Sequence, residues 1–233
     1  MDDVLVTAYA SAAADAPVVR LLGPVTLRLT ERRVAVVGAN GSGKSTLARL
    51  LNGLVLPSRG RVLVDGLDTD TDGPAVRRRV GFLLTDPAAQ VVLPTPLEDV
   101  ALSLRRRLPD ARAREAEARA VLARFGLAHR ADTPVQALSG GQRQLLALAG
   151  VLAVEPALLV ADEPTTLLDL RWRRHVDALL EGLPQRVVQV THDLAAAARA
   201  DRVLVVDDGR IVFDGDAAEG VAHYRDVVCG VDG

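Results

Sequence analysis

Aromatic side chains are almost missing from this sequence. Only 3% of its 233 residues are Phe, Trp or Tyr. The core must therefore be filled by Leu, Val and Ala, and stacking on nucleic-acid bases is a poor basis for the main activity. Cysteine is scarcer still. Cys229 is the one in the chain, which excludes an internal disulfide and any zinc site built from cysteine pairs, and fits a reducing compartment. Neither sign of charge predominates: 30 acidic residues against 28 Lys and Arg leave a formal charge of -2. That balance argues against a broad basic footprint for DNA or RNA. Long apolar runs are absent too. The most apolar stretch, residues 145–154, ends at Glu155-Pro156, well short of the roughly 20 residues a membrane span needs. Met1-Asp2-Asp3 offers no basic start followed by an apolar segment, so no secretory signal is expected. Together these absences predict a soluble chain that reaches a membrane only through partners.

What is present is a core-forming composition, 49% hydrophobic and 25% charged, at a length that suits one domain or one core with an insertion. Residues 25–29 alternate with period two and predict an antiparallel strand with one wet face. Residues 33–37 are a continuous apolar run ending at Gly38, which predicts a buried strand feeding a glycine turn. A helix is expected over 45–54 and a strand over 61–65. Helical spacing then dominates from 97 to 154, with stops at Gly126 and a glycine-rich start at 139–141. Buried strands return at 157–161, 186–190 and 203–206. The last is joined through Asp207-Asp208-Gly209, a hairpin signal, to 210–213. This alternation predicts an α/β fold: a mainly parallel sheet with helices on both faces and a helical insertion. The runs Arg77-Arg78-Arg79 and Arg105-Arg106-Arg107 read as solvated helix faces.

The loop Gly38-Ala39-Asn40-Gly41-Ser42-Gly43-Lys44-Ser45-Thr46 fits G-x-x-x-x-G-K-[ST] between a predicted strand and a predicted helix. Glycines there let backbone N–H groups face phosphates, and the helix start adds partial positive charge. Lys44 is expected to reach the outer phosphates of a nucleoside triphosphate, ATP above all. Ser45 offers a hydroxyl to Mg²⁺. Asp162-Glu163 end a buried strand, where an acidic pair is costly without work to do. Asp162 can hold Mg²⁺ through its waters, and Glu163 can orient or deprotonate the attacking water. His192 ends another buried strand and can hydrogen-bond a γ-phosphate. Ser139-Gly140-Gly141-Gln142 opens a helix as a second anion-binding start, with Ser139 as N-cap. A second such start in a chain that already has a phosphate loop suggests another subunit's nucleotide as its target.

In this order the motifs resemble the ATP-binding cassette (ABC) family of ATPases. The loop at 38–46 resembles its Walker A loop, 138–144 its signature motif, 158–164 its Walker B strand, 166–169 its D-loop with Asp169, and His192 its switch histidine. The resemblance implies a P-loop cassette with a RecA-like core, an N-terminal antiparallel β part and an inserted α-helical subdomain. The core would be 1–90 and 155–233, and the subdomain 91–154. It also implies head-to-tail pairing with a second ABC ATPase, a homodimer or a paralogue. Each ATP would lie between one loop and the partner's Ser139-Gly140-Gly141. Two departures stand out. The family's hinge glutamine position holds Thr85, and Gln90 follows five residues later, so both are candidates for the hinge. The family's adenine-stacking aromatic has Tyr9 as its one nearby candidate.

Residues 86–100, Asp-Pro-Ala-Ala-Gln-Val-Val-Leu-Pro-Thr-Pro-Leu-Glu-Asp-Val, are similar to the ATPases of energy-coupling factor (ECF) importers. The resemblance implies a transmembrane coupling subunit and a substrate-capturing membrane subunit as partners. It places this chain peripherally on the cytoplasmic face of the membrane. The short C-terminus and the Leu-Pro-Thr run look most like the biotin type, with the cobalt or nickel type as the alternative. Soluble ABC ATPases acting on DNA or ribosomes would need a coiled-coil insertion or a second cassette. A GTPase would need an Asn-Lys-x-Asp motif.

Overall fold

Continuous apolar runs become the buried strands of this molecule. The computed structural model describes residues 1–9 and 17–229, and the side chains of 227–229 lie outside that description. In chain order the elements are Asp2–Tyr9 (β1), Val18–Val25 (β2), Arg33–Val37 (β3), Lys44–Leu50 (α1), Arg59–Arg61 (β4), Leu63–Val64 (β5), Leu67–Asp68 (β6), Gly73–Arg79 (α2), Val80–Leu83 (β7) and Pro96–Leu104 (α3). They continue as Ala111–Arg124 (α4), Gly140–Leu152 (α5), Leu158–Asp162 (β8), Leu170–Gly182 (α6), Arg186–Val190 (β9), Leu194–Ala197 (α7), Arg202–Asp207 (β10), Arg210–Gly215 (β11) and Ala217–Cys229 (α8).

The main sheet has the order β11-β10-β3-β9-β8-β7. β7, β8, β9, β3 and β10 run parallel, and β11 closes the edge antiparallel to β10. A separate antiparallel sheet has the order β2-β1-β4. This is the α/β arrangement expected from the strand and helix alternation. β8 shows why its sequence is apolar throughout. Successive side chains point to opposite faces, so Leu158 and Val160 join a core with Leu47, Leu50 and Val36. Leu159 and Ala161 join a second core with Leu146, Leu148, Leu122 and Val176. A strand covered on both faces cannot alternate with polar residues. The second core runs without a break from α3, α4 and α5 into the sheet, so one apolar mass fastens the helices to β8.

Residues 25–29 differ from the expectation. The strand lies earlier, at Val18–Val25, and 26–32 form none. The burial alternation is real, with Val25 4% and Leu27 6% exposed. However, past Val25, which as the end of β2 pairs with Val4 of β1, no ladder continues: Leu27 exchanges bonds with Met1 alone, at 3.0 and 2.9 Å. A period of two records which face is wet, not whether a neighbouring strand is present to pair. The Asp207-Asp208-Gly209 turn is a hairpin as read: Asp208 and Gly209 both take positive φ, 40° and 70°, which suits the right-handed strand twist.

Candidate functional site

The carboxyl ends of β3, β9, β8 and β7 are neighbours in the sheet. The segments leaving them therefore gather on one edge, the place where open α/β sheets bind ligands. β3 delivers the loop 38–46. Gly38 cannot carry a side chain, because a Cβ would stand 2.1 Å from the Val206 carbonyl oxygen. Gly43, at φ 107°, is pressed against the Leu21 carbonyl, with 2.7 Å left for a Cβ. The Ser42 carbonyl accepts the Gly209 N–H at 2.9 Å, which ties the loop to the β10–β11 turn. Ala39, Asn40 and Gly41 form an exposed tip, and Thr46 is half-buried on α1.

Lys44 is buried, and its Nζ donates to the carbonyls of Gly38 (2.9 Å) and Ala39 (2.8 Å). The ammonium thus curls back inside its own loop. Burial pushes its pKa down, and the charges of Glu163 and Asp162 push it back up. Ser45 Oγ donates to Asp162 Oδ1 at 2.9 Å. Asp162 is 1% exposed. Burial raises its pKa, opposed by the Ser45 bond, by Arg49 with Nη2 3.6 Å from Oδ2, and by Lys44.

Glu163 leaves β8 at φ 51°, an unusual backbone for a non-glycine residue. It is held there by its N–H donating to the Val190 carbonyl at 3.0 Å. Its Oε2 accepts the Thr166 hydroxyl at 3.0 Å and lies 3.8 Å from His192 Nδ1. His192 follows buried Thr191, whose N–H donates to the Val36 carbonyl at 3.0 Å, next to the start of the loop. Asp193 caps α7 with its carboxylate and lies 3.6 Å from Arg173.

The structure separates the two hinge candidates. Thr85 Oγ1 donates to the Asp162 carbonyl at 2.8 Å. Gln90 turns back onto β7: its Nε2 donates to the Phe82 carbonyl at 3.1 Å, and its Oε1 accepts the Leu84 N–H at 3.0 Å. Both ends of that amide are occupied by the strand.

Ser139 caps α5 in a reciprocal box. Its Oγ accepts the Gln142 N–H at 3.2 Å, and Gln142 Oε1 accepts the Ser139 N–H at 2.9 Å. Among the described residues no hydrogen bond joins Ser139, Gly140, Gly141 or Gln142 to the loop 38–46. Asp169 caps α6 by accepting the Trp172 N–H at 2.9 Å, and the flanking Leu167 and Leu170 are exposed. Tyr9 ends β1 opposite Val18, and both are exposed. Arg49 and Trp172 were not singled out in the sequence, and Thr166 was read only as the first residue of the D-loop run 166–169. Arg49 could have been found, because it follows Ser45 by four residues on one helix face. Trp172 could not, because its neighbours come from another element.

The donor set suits Mg²⁺. Ser45 Oγ and Asp162 Oδ1 are hard oxygens already side by side. Among the described residues no group of three or more His, Cys, Asp or Glu could cage a metal. Mg²⁺ needs no such cage when phosphate and water fill its remaining positions.

A family model described as "ABC transporter" matches residues 23–166. The biotin transport ATP-binding protein BioM of Rhizobium etli is 46% identical over 206 residues, covering 88% of this chain and 92% of that one. The energy-coupling factor transporter ATP-binding protein EcfA1 of Halalkalibacterium halodurans is 39% identical over 198 residues, covering 83% and 71%. Among solved structures, a dimeric post-hydrolysis state of the ATP-binding cassette MJ0796 bound to ADP and phosphate superposes with a TM-score of 0.81 at 29% identity, covering 93% and 97%.

Proposed function

Since the chain belongs to the ABC transporter family of ATPases, we propose that it hydrolyses ATP to drive an ECF-type importer, with biotin as the transported substrate. The Ser45–Asp162 contact with Glu163 one residue on carries the hydrolytic reading. The similarity of 86–100 to ECF ATPases and the 46% identity to BioM support the substrate.

Backbone N–H groups of 38–46 receive the phosphates. Lys44 exchanges its bonds to Gly38 and Ala39 for the outer phosphates, and burial keeps that interaction strong. Ser45 and Asp162 hold Mg²⁺, which when bound offsets the phosphate charge. Glu163 orients and deprotonates the attacking water. Thr166 and His192 keep its carboxylate in place, and His192 is half-exposed toward the γ-phosphate position. Tyr9 stacks on adenine. Thr85, through the Asp162 carbonyl, links the hinge at the end of β7 to the metal carboxylate. Ser139, Gly140, Gly141 and Gln142 close over the ATP of a second copy, and Asp169 lies beside them at that interface. The chain holds both halves of the site, so two copies make two complete sites. ATP pairs them, hydrolysis parts them, and a membrane coupling subunit uses the motion beside a substrate-capturing subunit. No helix among the described residues is long and apolar enough to cross a membrane. On the reading as an ATPase paired with membrane subunits, the chain works as a peripheral subunit on the cytoplasmic face.

The test is Glu163→Gln in the assembled transporter, co-purified with its membrane subunits. ATP binding persists, hydrolysis falls by about 100-fold or more, and uptake of labelled biotin stops. Undiminished hydrolysis would remove Glu163 from the role of base. Uptake of cobalt or nickel in place of biotin by the unmodified transporter would reassign the substrate.

A further inference from the structure

The two glycines that open α5 meet different surroundings. A Cβ on Gly140 would meet nothing within 4 Å. A Cβ on Gly141 would stand 2.1 Å from Cδ2, 2.2 Å from Cγ and 2.5 Å from Cε2 of Trp172. Those atoms form the root of the indole, not the movable tip of a flexible chain. Trp172 is held on its other sides as well. Its backbone N–H donates to Asp169 Oδ1 at 2.9 Å, and its ring meets His175 edge-on, with centroids 6.0 Å apart and planes at 76°. The indole also packs against the core that contains Leu145 and Leu146 of α5. Swinging it away would give up its contacts with that core and with His175.

This one side chain therefore fixes the first turn of α5 to the first turn of α6. α6 in turn follows Glu163 and Thr166 by a short connection capped at Asp169. Trp172 is the only tryptophan in the sequence, and the three heavy atoms nearest to a Cβ built on Gly141 all belong to its indole.

We propose that Trp172 is a positioning residue: its indole, seated on Gly141, holds the Ser139–Gly140 turn at the angle that meets the partner copy's ATP. On this account Gly141 is glycine to admit the indole, and Gly140 is glycine to admit phosphate. The inference rests on the reading that this turn faces a second copy.

The test uses the full chain with Glu163→Gln, so that pairing is read without turnover. Sedimentation velocity gives the ATP concentration for half-maximal pairing, and a fluorescent ADP analogue gives binding to the chain's own loop. Trp172→Ala raises the ATP requirement at least about tenfold and leaves ADP affinity unchanged. Trp172→Phe, which keeps a flat ring on Gly141, restores most of the pairing. Gly141→Ala weakens pairing strongly in the Trp172 chain and adds little in the Trp172→Ala chain, the non-additivity expected of touching residues. Additive effects, or pairing by Trp172→Ala equal to that of the parent, would overturn the inference and leave the proposed function standing. A parent that binds ATP and never pairs would overturn both. Should Gly141→Ala fail to fold, the comparison of Trp172→Ala with Trp172→Phe decides alone: equal pairing by the two refutes the proposal.

Discussion

Two carboxylates buried by the same sheet have opposite surroundings. Asp162 gains a hydroxyl, a guanidinium and an ammonium. Asp177, on α6, has Arg199 at 3.5 Å on one oxygen and no partner on Oδ1. Burial raises the Asp177 pKa. Arg199 and Arg173 oppose this, while Asp193 and Glu181 add to it. A raised folded pKa means that the folded chain holds the proton longer than the unfolded chain does. Stability is therefore lost as pH climbs from the ordinary carboxylate range through the folded value. Asp177→Asn removes that loss. It should raise the melting temperature at pH 8, with the gain fading below about pH 4, where both states are protonated. Melts across that range check it, and a gain independent of pH would exclude titration as the cause. Single residues were legible where their chemistry is costly to leave idle. Lys44 stood out through its glycine-rich loop, and Asp162 and Glu163 because an acidic pair at the end of an apolar run needs a reason. Asp177 gave no such signal, because its burial depends on β9 and α7 covering it.

Elements were legible through their ends. α4 begins at Asp110, whose carboxylate accepts the Ala113 N–H at 2.8 Å, and stops before Gly126 at φ 72°. Its inner face is Ala118, Val121 and Leu122, all fully buried. Asp110→Ala should cost about 1 kcal/mol, read as a shifted denaturation midpoint, with ATP hydrolysis unchanged because the cap is remote from the loop. A change in hydrolysis larger than the change in stability would show that α4 is coupled to the site. The misplaced strand at 25–29 is the counter-example. Its alternation described a half-buried segment correctly, but a strand also needs a partner in register, and alternation holds no information about that. α6 was not read at all, although Trp172, Val176, Leu179 and Leu180 recur at helical spacing with the arginines on the other face.

At the scale of the whole molecule, the chain presents a loop on one edge and the Ser139 turn on another helix, with no hydrogen bond between them among the described residues. On the proposed head-to-tail pairing, a second copy satisfies both. The hydrolysis-deficient chain, 24.7 kDa as a monomer, should sediment as a dimer with ATP and as a monomer with ADP, because on that pairing only the γ-phosphate would bridge to the partner's α5. Dimers with either nucleotide would show that pairing does not depend on the γ-phosphate. The family and the α/β layering were determined by the sequence alone. Both rest on short local patterns: a loop whose glycines and lysine act together, strands buried on both faces, caps within four residues of the helices they start. The tertiary structure alone decided which atoms the departing residues meet. Thr85 reaches the Asp162 carbonyl from 77 positions away, Gln90 is taken up by β7, and Gly141 lies under Trp172. Each is a contact between elements, set by sheet order and helix packing, and no local pattern encodes which distant atoms a folded chain brings within 3 Å.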